Sequence, residues 1–559
     1  RWNFDLRSVP GIQKFRSFLD ESADLVVELG GSISGEHGDG ESKAELLPKM
    51  FGPELVDGFR EFKSIWDPAW KMNPGKVVDP YPITKNLRLG PNYAPPQLRT
   101  HFSFPEDHNS YEHAALRCVG IGKCRHTSGG VMCPSYMVTR EEKHTTRGRA
   151  RMLWEMINGN ELELWKADEV FEALDLCLSC KGCTNDCPVN VDMPTLKAEF
   201  LSHYYEWNPR PPHALAFGLI DQAARLAAKT PELANAMAPA LKRAIGVHPK
   251  RHLPKFAPLT LRDWYRQRGT HNPAGKKVIL WPDTFTNHFD TDVGVAAVEA
   301  LEDAGCQVLM PEGHLCCGRP LYDYGMLDLA ARYLKRVLDA LRDEIRAGTP
   351  VVGAEPSCVA VFKDELVKMR PNDQDALRLA EQTYHFAEFL QEVEYKPPPL
   401  ERKVVLHEHC HQHATGGAEP DEKLLEAMGA EIERPDSGCC GMAGAWGYEQ
   451  SHYDVSIACG ERVLLPKVRE APPGTLLVTA GFSCRSQIEQ TTDRRALHIA
   501  QVIQLARDHG AGGPSGPYPE RAVAPKPRPS SVRRRAARAG LAAAGATAGA
   551  LALIRSRRS

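Results

Sequence analysis

Residues 177–189 read CLSCKGCTNDCPV, setting Cys177, Cys180, Cys183 and Cys187 within eleven positions and Pro188 directly after the last. Three thiolates at Cys-x2-Cys-x2-Cys spacing wrap one corner of an iron-sulfur cube, and the fourth, turned away by the proline, ligates the other cluster of a pair. Four thiols so close together would be redundant as core packing. A partner run lies upstream, Cys118-Val-Gly-Ile121-Gly-Lys-Cys124, followed after eight residues by Cys133-Pro134. Ile121 stands where the middle Cys belongs. The crossed arrangement gives Cys177, Cys180, Cys183 and Cys133 to a 4Fe-4S cluster and leaves Cys118, Cys124 and Cys187 for a second. Three ligands suit a 3Fe-4S cluster, or a 4Fe-4S cube whose fourth iron takes another side chain such as His126.

The composition fits several globular domains. The 559 residues are 42% hydrophobic and 25% charged, which excludes collagenous, disordered and multi-span membrane classes. The formal charge of -2 hides an asymmetry: residues 521–559 hold ten Arg or Lys and no Asp or Glu, leaving -12 on residues 1–520. An acidic body does not suit nucleic-acid binding. The chain opens Arg1-Trp2-Asn3-Phe4 without a charged-then-apolar leader and reads as a fragment or processed product in the cytoplasm. Seven of the 16 cysteines fall between Cys118 and Cys187, a clustering that favours metal ligation over disulfides.

Patterning divides the chain further. Residues 1–80 read as helices and short strands, 81–110 as a Pro- and Asn-rich linker, 111–205 as an all-α domain carrying the dense cysteines, and 206–275 as a helical connector. From 276 strands and helices alternate, which implies parallel α/β layers. That texture repeats: Val278 and Val404 begin equivalent strands 126 apart, and Cys316-Cys317-Gly318 recurs 123 residues later as Cys439-Cys440-Gly441. A single Cys closes each unit, Cys358 at 41 after Cys317 and Cys484 at 44 after Cys440. Two homologous modules, 276–395 and 396–510, are the simplest account. The fold class is therefore multidomain, α+β and α/β. A basic low-complexity tail, 511–559, follows.

The second module offers Cys410, Cys439, Cys440 and Cys484, enough for a further cluster. In the first, the 126 offset places Thr284 where Cys410 should be, leaving Cys316, Cys317 and Cys358. Zinc is the rival for four thiolates, although structural zinc sites usually draw two ligands from one Cys-x2-4-Cys turn and neither module has one. His407, His409, His411 and His413 alternate beside Cys410; period two places them on one face, read as a solvated edge.

Three resemblances join these parts. The Cys118–Cys124 gap resembles the 3Fe-4S motif in iron-sulfur subunits of succinate dehydrogenases. The Cys-Cys-Gly modules resemble the cysteine-rich domain of heterodisulfide reductase and of the iron-sulfur subunits of glycolate oxidase and anaerobic glycerol-3-phosphate dehydrogenase; complete modules there end in a Cys pair, whereas both here keep one. Finally, GGSISGEHGDG (residues 30–40) with Lys71-Met72-Asn73-Pro74-Gly75-Lys76 resembles the carboxyl end of FAD-linked oxidases acting on D-2-hydroxy acids. That last resemblance implies that Glu36 binds a divalent metal gripping the substrate, that His37 takes the hydroxyl proton, and that Asn73 contacts FAD.

The order of parts resembles the bacterial fusion of an FAD-linked oxidase with its iron-sulfur partner, of the D-2-hydroxyglutarate or D-lactate dehydrogenase type. The FAD-binding domain is not among these residues, so FAD would be bound mainly by a missing N-terminal part or a separate subunit. The resemblance implies an oxidoreductase that passes electrons from flavin through clusters to a quinone or other acceptor, with a small D-2-hydroxy acid as substrate. A heterodisulfide-reductase-like disulfide reductase and a non-catalytic electron-transfer subunit are the rivals. In the tail, nine cationic side chains from Lys526 onward flank the apolar run Ala539 to Ile554. Sixteen mostly Ala and Gly residues are too few to span a bilayer, which leaves a disordered tail as the first reading and peripheral contact at the inner membrane face as the second.

Overall fold

The computed structural model describes residues 4–523 apart from 88, 95 and 160. The cationic and apolar stretch expected to meet a membrane lies outside the described residues. The chain divides into two compact units, Arg1–Pro96 and Gln97–Ser559.

The first unit is built on helices α1 (Val9–Glu28) and α2 (Leu47–Trp66). Ser8 caps α1 by accepting the Gly11 N–H at 3.2 Å, and Arg16 on that helix reaches Asp20 and Glu45, each at 2.6 Å. No strand forms among its described residues, contrary to expectation. Residues 30–40 are too rich in glycine for extended pairing, with Gly30, Gly38 and Gly40 all at positive φ. Gly75 is also required, since its φ is 71° and a Cβ would lie 2.3 Å from the Tyr81 ring.

The second unit opens with Phe102 and Phe104, buried against Tyr111 although the stretch reads as a linker. Helices α3 (Tyr111–Leu116), α4 (Pro134–Thr139), α5 (Thr146–Asn158), α6 (Asp168–Asp175) and α7 (Met193–Trp207) carry the cysteine-dense region. Two parallel sheets follow. In the first module β1 (Lys276–Trp281), β2 (Cys306–Leu309), β3 (Val351–Gly353) and β4 (Thr383–His385) take the order β2-β1-β3-β4. In the second, β5 (Lys403–Leu406), β6 (Glu431–Glu433) and β7 (Leu476–Val478) take the order β6-β5-β7, with one further parallel bridge from Val478 to Leu497. Central strands such as Val278–Trp281 are buried throughout, as strands covered on both faces require.

The repeat is geometric as well as sequential. After β1 the chain turns into a helix whose first residue is Thr284, α8 (Thr284–His288); after β5 it turns into one whose first residue is Cys410, α9 (Cys410–Thr415). Cys358 is the third residue of α10 (Pro356–Ala360) after β3, and Cys484 the third of α11 (Phe482–Thr491) after β7. A shared apolar core runs from Val278, Leu280 and Val352 in one module to Val404, Leu406 and Val478 in the other. A second core joins the dicluster region to the first module through Met132, Leu196, Phe200, Trp281, Tyr322 and Phe362.

The glycine of each Cys-Cys-Gly turn has its own reason. Gly318 and Gly441 sit at φ 82° and 87°, and a Cβ on Gly441 would lie 2.1 Å from the Ser456 carbonyl oxygen. At Gly318 the nearest atom is a Leu321 methyl at 3.4 Å. Gly318→Ala should therefore cost only the left-handed strain, about 1 kcal/mol, whereas Gly441→Ala adds a backbone collision and should lower the melting temperature distinctly more. Paired thermal melts of the two anaerobically purified variants check the order; equal losses would contradict it.

Candidate metal centres

The two cysteine runs fold alike. In Cys177–Cys183 the second and fourth residues after the first Cys, Ser179 and Lys181, have φ of 51° and 59°; in Cys118–Cys124 the corresponding Gly120 and Gly122 have 79° and 81°. Alternating left-handed residues curl a backbone around one point and turn its N–H groups inward, the concavity that suits phosphate and iron-sulfur sites. Ile121 occupies the place of Cys180. A small pocket is lined by Cys118, Ile121, Cys124 and Cys187 together with Thr146 and Arg147. His126 does not line it, because its two ring nitrogens meet the carbonyls of Ser128 and Met132 at 3.1 and 2.9 Å.

Cys133 lies between the two groups. Its thiol hydrogen-bonds with Cys124 and is raised mainly by that bond and by burial, with Cys183 adding to the effect, while the Thr146 hydroxyl and N–H both stand 3.1 Å from its sulfur. The Cys133 hydrogen bond is the main reason the Cys124 thiol drops to about 6, helped by the Arg147 and Thr145 neighbours. Burial pushes the Cys180 and Cys183 thiols well up. Thiols with such opposed tendencies share protons badly but share a cation well.

In the second module Cys439 hydrogen-bonds with both Cys410 and Cys440, and Cys440 with Cys484 and His407. Ligand atoms of His407, Cys440 and Cys484 lie within 4.8 Å of one another. The histidine run is not a solvated edge, since β5 ends at Leu406, the next turn of chain folds under the sheet, and His407, His409 and His411 are all buried. Sequence alternation missed this because it could not show where the strand stops. Cys459 was likewise overlooked; it is buried in the cluster of side chains that holds Cys180 and Cys439, and burial lifts its thiol to about 12. In the first module the Thr284 hydroxyl takes the Cys410 role, 3.6 Å from Cys316, and the Cys317 and Cys358 sulfurs are 2.9 Å apart.

The dicluster loop docks directly on the second module, and the Cys410 charge is one reason the Cys180 thiol is raised. Around this contact His411 meets the Ser179 carbonyl at 2.9 Å, His413 meets Asp186 at 3.1 Å, Trp446 donates to the Asp175 carbonyl at 3.0 Å, and His452 meets the Asp175 carboxylate at 2.8 Å. Beneath the loop Lys181 is fully buried; burial opposes its charge, but Asp364, Glu365 and Asp192 keep it protonated.

In the first unit Glu36 and His37 are both 86% exposed, with His37 Nε2 3.4 Å from the Glu36 carboxylate. Asn73 is exposed at φ 45°. The loop presents these groups outward without enclosing them.

Two measurements follow from this geometry. Anaerobic protein should contain about 10 or more iron atoms, Cys180→Ser should remove one cluster signal and spare the others, and Ile121→Cys should convert a 3Fe-4S paramagnetic resonance signal to a 4Fe-4S type; an unchanged spectrum for Ile121→Cys would overturn the match of the two loops. The docking contact should also respond to pH. Asp186 and Glu408 raise His413 to about 10; burial opposes charge on His452, yet Asp175 and Glu449 outweigh it and lift that ring to about 9. A raised folded value means stability present in full below the ordinary 6.5 and lost as pH climbs through 9 to 10. Melting temperatures from pH 6 to 10 should fall more steeply for the native protein than for a His413→Gln, His452→Gln double variant.

Comparison with known proteins agrees with the order of parts. The family described as FAD linked oxidases, C-terminal domain, matches residues 3–77, the 4Fe-4S dicluster domain matches 114–191, and the cysteine-rich domain matches 284–363 and 404–489. D-2-hydroxyglutarate dehydrogenase of Pantoea ananatis is 27% identical over 553 residues, 87% of this chain and 52% of that protein. The protein of the same name from Escherichia coli K12 is 26% identical over 557 residues, 87% of this chain and 53% of its own. The chain thus spans about half the length of these relatives. Lactate utilization protein A of Bacillus subtilis is 30% identical over 242 residues, which are 41% of this chain and 98% of that protein. On that match, the chain belongs to the family of lactate utilization protein A, with the end of an FAD-linked oxidase domain ahead of its dicluster and cysteine-rich domains.

Proposed function

We propose that this chain is the iron-sulfur electron-transfer half of an FAD-dependent D-2-hydroxy-acid dehydrogenase. The observation that carries the reading is the unbroken succession of thiols: Cys118, Cys124 and Cys187 around one pocket, Cys133 touching Cys124 and close to Cys183, and Cys180 beside Cys410 of the second module. The donor sets fit iron-sulfur clusters, with Cys133, Cys177, Cys180 and Cys183 for a 4Fe-4S cluster, Cys118, Cys124 and Cys187 for a 3Fe-4S or 4Fe-4S cluster, and Cys410, Cys439, Cys440 and Cys484 for a further one. Such clusters, when bound, accept electrons singly and pass them on, which a two-electron flavin donor requires.

The remaining roles belong to side chains of the first unit. His37 takes the hydroxyl proton of the substrate, Glu36 holds a divalent metal that grips it, and Asn73 contacts the flavin carried by an FAD-binding domain or subunit. Buried Lys181 and partly exposed Arg147 place positive charge beside the thiolates and favour the more electron-rich state of each site. Cys316, Cys317 and Cys358 of the first module have only a hydroxyl, Thr284, in the fourth place, so the path ends in the second module and delivers electrons there to a quinone or another acceptor. No helix among the described residues is long and apolar enough to cross a membrane.

The test uses the holoenzyme with its FAD-binding part. In a Cys410→Ser, Cys439→Ser variant, D-2-hydroxyglutarate or D-lactate should still bleach the flavin anaerobically, while reduction of a soluble quinone analogue is lost. His37→Ala should slow the bleaching itself by about 10²-fold, the usual worth of a positioned proton acceptor. Undiminished quinone reduction in the thiol variant would remove the second module from the path.

A further inference from the structure

Away from every cysteine, three side chains converge where the chain enters the dicluster region. Glu199 on α7 is wholly buried, and its Oε1 lies 3.0 Å from His101 Nδ1 and 3.1 Å from His203 Nε2. His203 sits one turn after Glu199 on the same helix, so the pair shares a face, while His101 comes from 98 residues upstream. The carboxylate is aimed by backbone, because the His101 N–H reaches both its oxygens at 2.9 and 3.0 Å and the Phe102 N–H reaches Oε2 at 3.0 Å. The His203 ring is held flat against Trp165, centroids 4.5 Å apart. His101 is 20% exposed and His203 10%, so the cluster opens to solvent on one side only.

The outer nitrogens of both rings are also engaged. His101 Nε2 lies 3.3 Å from Asp328, and His203 Nδ1 lies 3.0 Å from Glu206. Each imidazole therefore has a carboxylate oxygen on both nitrogens, yet a neutral imidazole carries one N–H. A second proton on each ring, which the neighbouring carboxylates favour, would resolve this, and so would a metal cation between the rings and Glu199. Each ring would then give its lone pair inward and its N–H outward to a carboxylate, the pattern in which metal-bound histidines are almost always found. A tetrahedral zinc with bonds of about 2.0–2.1 Å sets its ligands about 3.3 Å apart, a few tenths of an ångström beyond the present spacings.

We propose that His101, Glu199 and His203 form a binding site for a divalent cation of zinc type, with an exchangeable water as fourth ligand. Two imidazoles and one carboxylate are donors suited to zinc and unlike the thiol sets elsewhere in the chain. The ion would pin the entering segment at His101 to α7 and, through Asp328, to the first turn of the helix Leu327–Arg346 of the first module.

Anaerobic holoprotein given one equivalent of zinc and then desalted should keep about one zinc per chain with its iron unchanged. Zinc-edge X-ray absorption should show only nitrogen and oxygen neighbours near 2.0 Å. Loss of even an outer partner weakens such sites about 10- to 100-fold, so His101→Gln and His203→Gln should each weaken retention by more than that while keeping the iron. His101→Gln, being the more exposed change, serves if His203→Gln fails to fold. No zinc retained by iron-replete protein, as two doubly protonated rings would give, overturns the site. So does a sulfur shell around the zinc, or retention unaffected by the His101 change.

Discussion

Buried thiolates repel one another, and the second unit is organised around keeping several of them together. Each group is met by positive potential from the backbone. Cys410 begins a helix, Cys358 and Cys484 occupy third positions of two others, and Cys133 caps α4, so helix N-termini point at thiols from several sides. The left-handed pairs Ser179 with Lys181 and Gly120 with Gly122 add inward N–H groups. Buried Lys181 adds a full charge, held in place by Asp364 and Glu365, which also pair with Lys368 and Arg319. On the proposed function each cluster would take the place of the thiol protons that burial otherwise retains, and folding and metal loading would then be coupled.

The two modules place different side chains at equivalent positions of one scaffold. Position for position, Thr284 replaces Cys410 and Asp283 replaces His409 as the cap of the following helix. Three residues before the closing cysteine, the first module has Glu355 and the second Gly481. Glu355 is not idle: one oxygen accepts the Ser357 N–H at 3.2 Å and the other the Phe482 N–H at 2.8 Å, so a single carboxylate caps equivalent helices in both modules. Gly481 leaves the room that the His409 ring fills, its Cδ2 only 2.0 Å from where a Cβ would stand. The carboxyls of Asp283 and Glu355 are both raised by burial, Asp283 to about 6, at the place where the second module gathers thiols.

Legibility in the sequence followed the range of each interaction. Candidate ligands set by local spacing, Cys177 to Cys187 and the Cys-Cys-Gly turns, stand out in the sequence directly, and the 126-residue offset was enough to single out Thr284 as the counterpart of Cys410. The paired α/β modules were legible for the same reason, since each strand and helix signals itself over a few residues. What escaped was long-range. Nothing near Lys181 announces Asp364, 183 positions away, and the burial of Phe102 among linker-like residues depends on α7 and the first module. His407 and its neighbours were misjudged because alternation alone cannot distinguish an edge strand from a strand end that turns into a helix. The fourth place at the Ile121 loop remained unread, since His126 proves to be engaged by backbone carbonyls.

On the proposed function, proton removal and electron transfer fall to different units with different surroundings. Most of the thiols are buried and Cys118, Cys187 and Cys410 are half-buried, as groups that must hold charge away from water should be. Glu36 and His37 stand exposed, where water would compete for any proton and for any metal. An exposed pair becomes an effective base and metal ligand only when another surface closes over it. Leu25 and Leu29 on and just beyond α1, and Leu55, Phe62, Ile65 and Trp66 on α2, are more than half exposed. On the proposed function the FAD-binding part would cover apolar side chains of this unit and enclose the Glu36–His37 loop in one step, so that flavin binding, water exclusion and substrate chemistry would depend on the same contact.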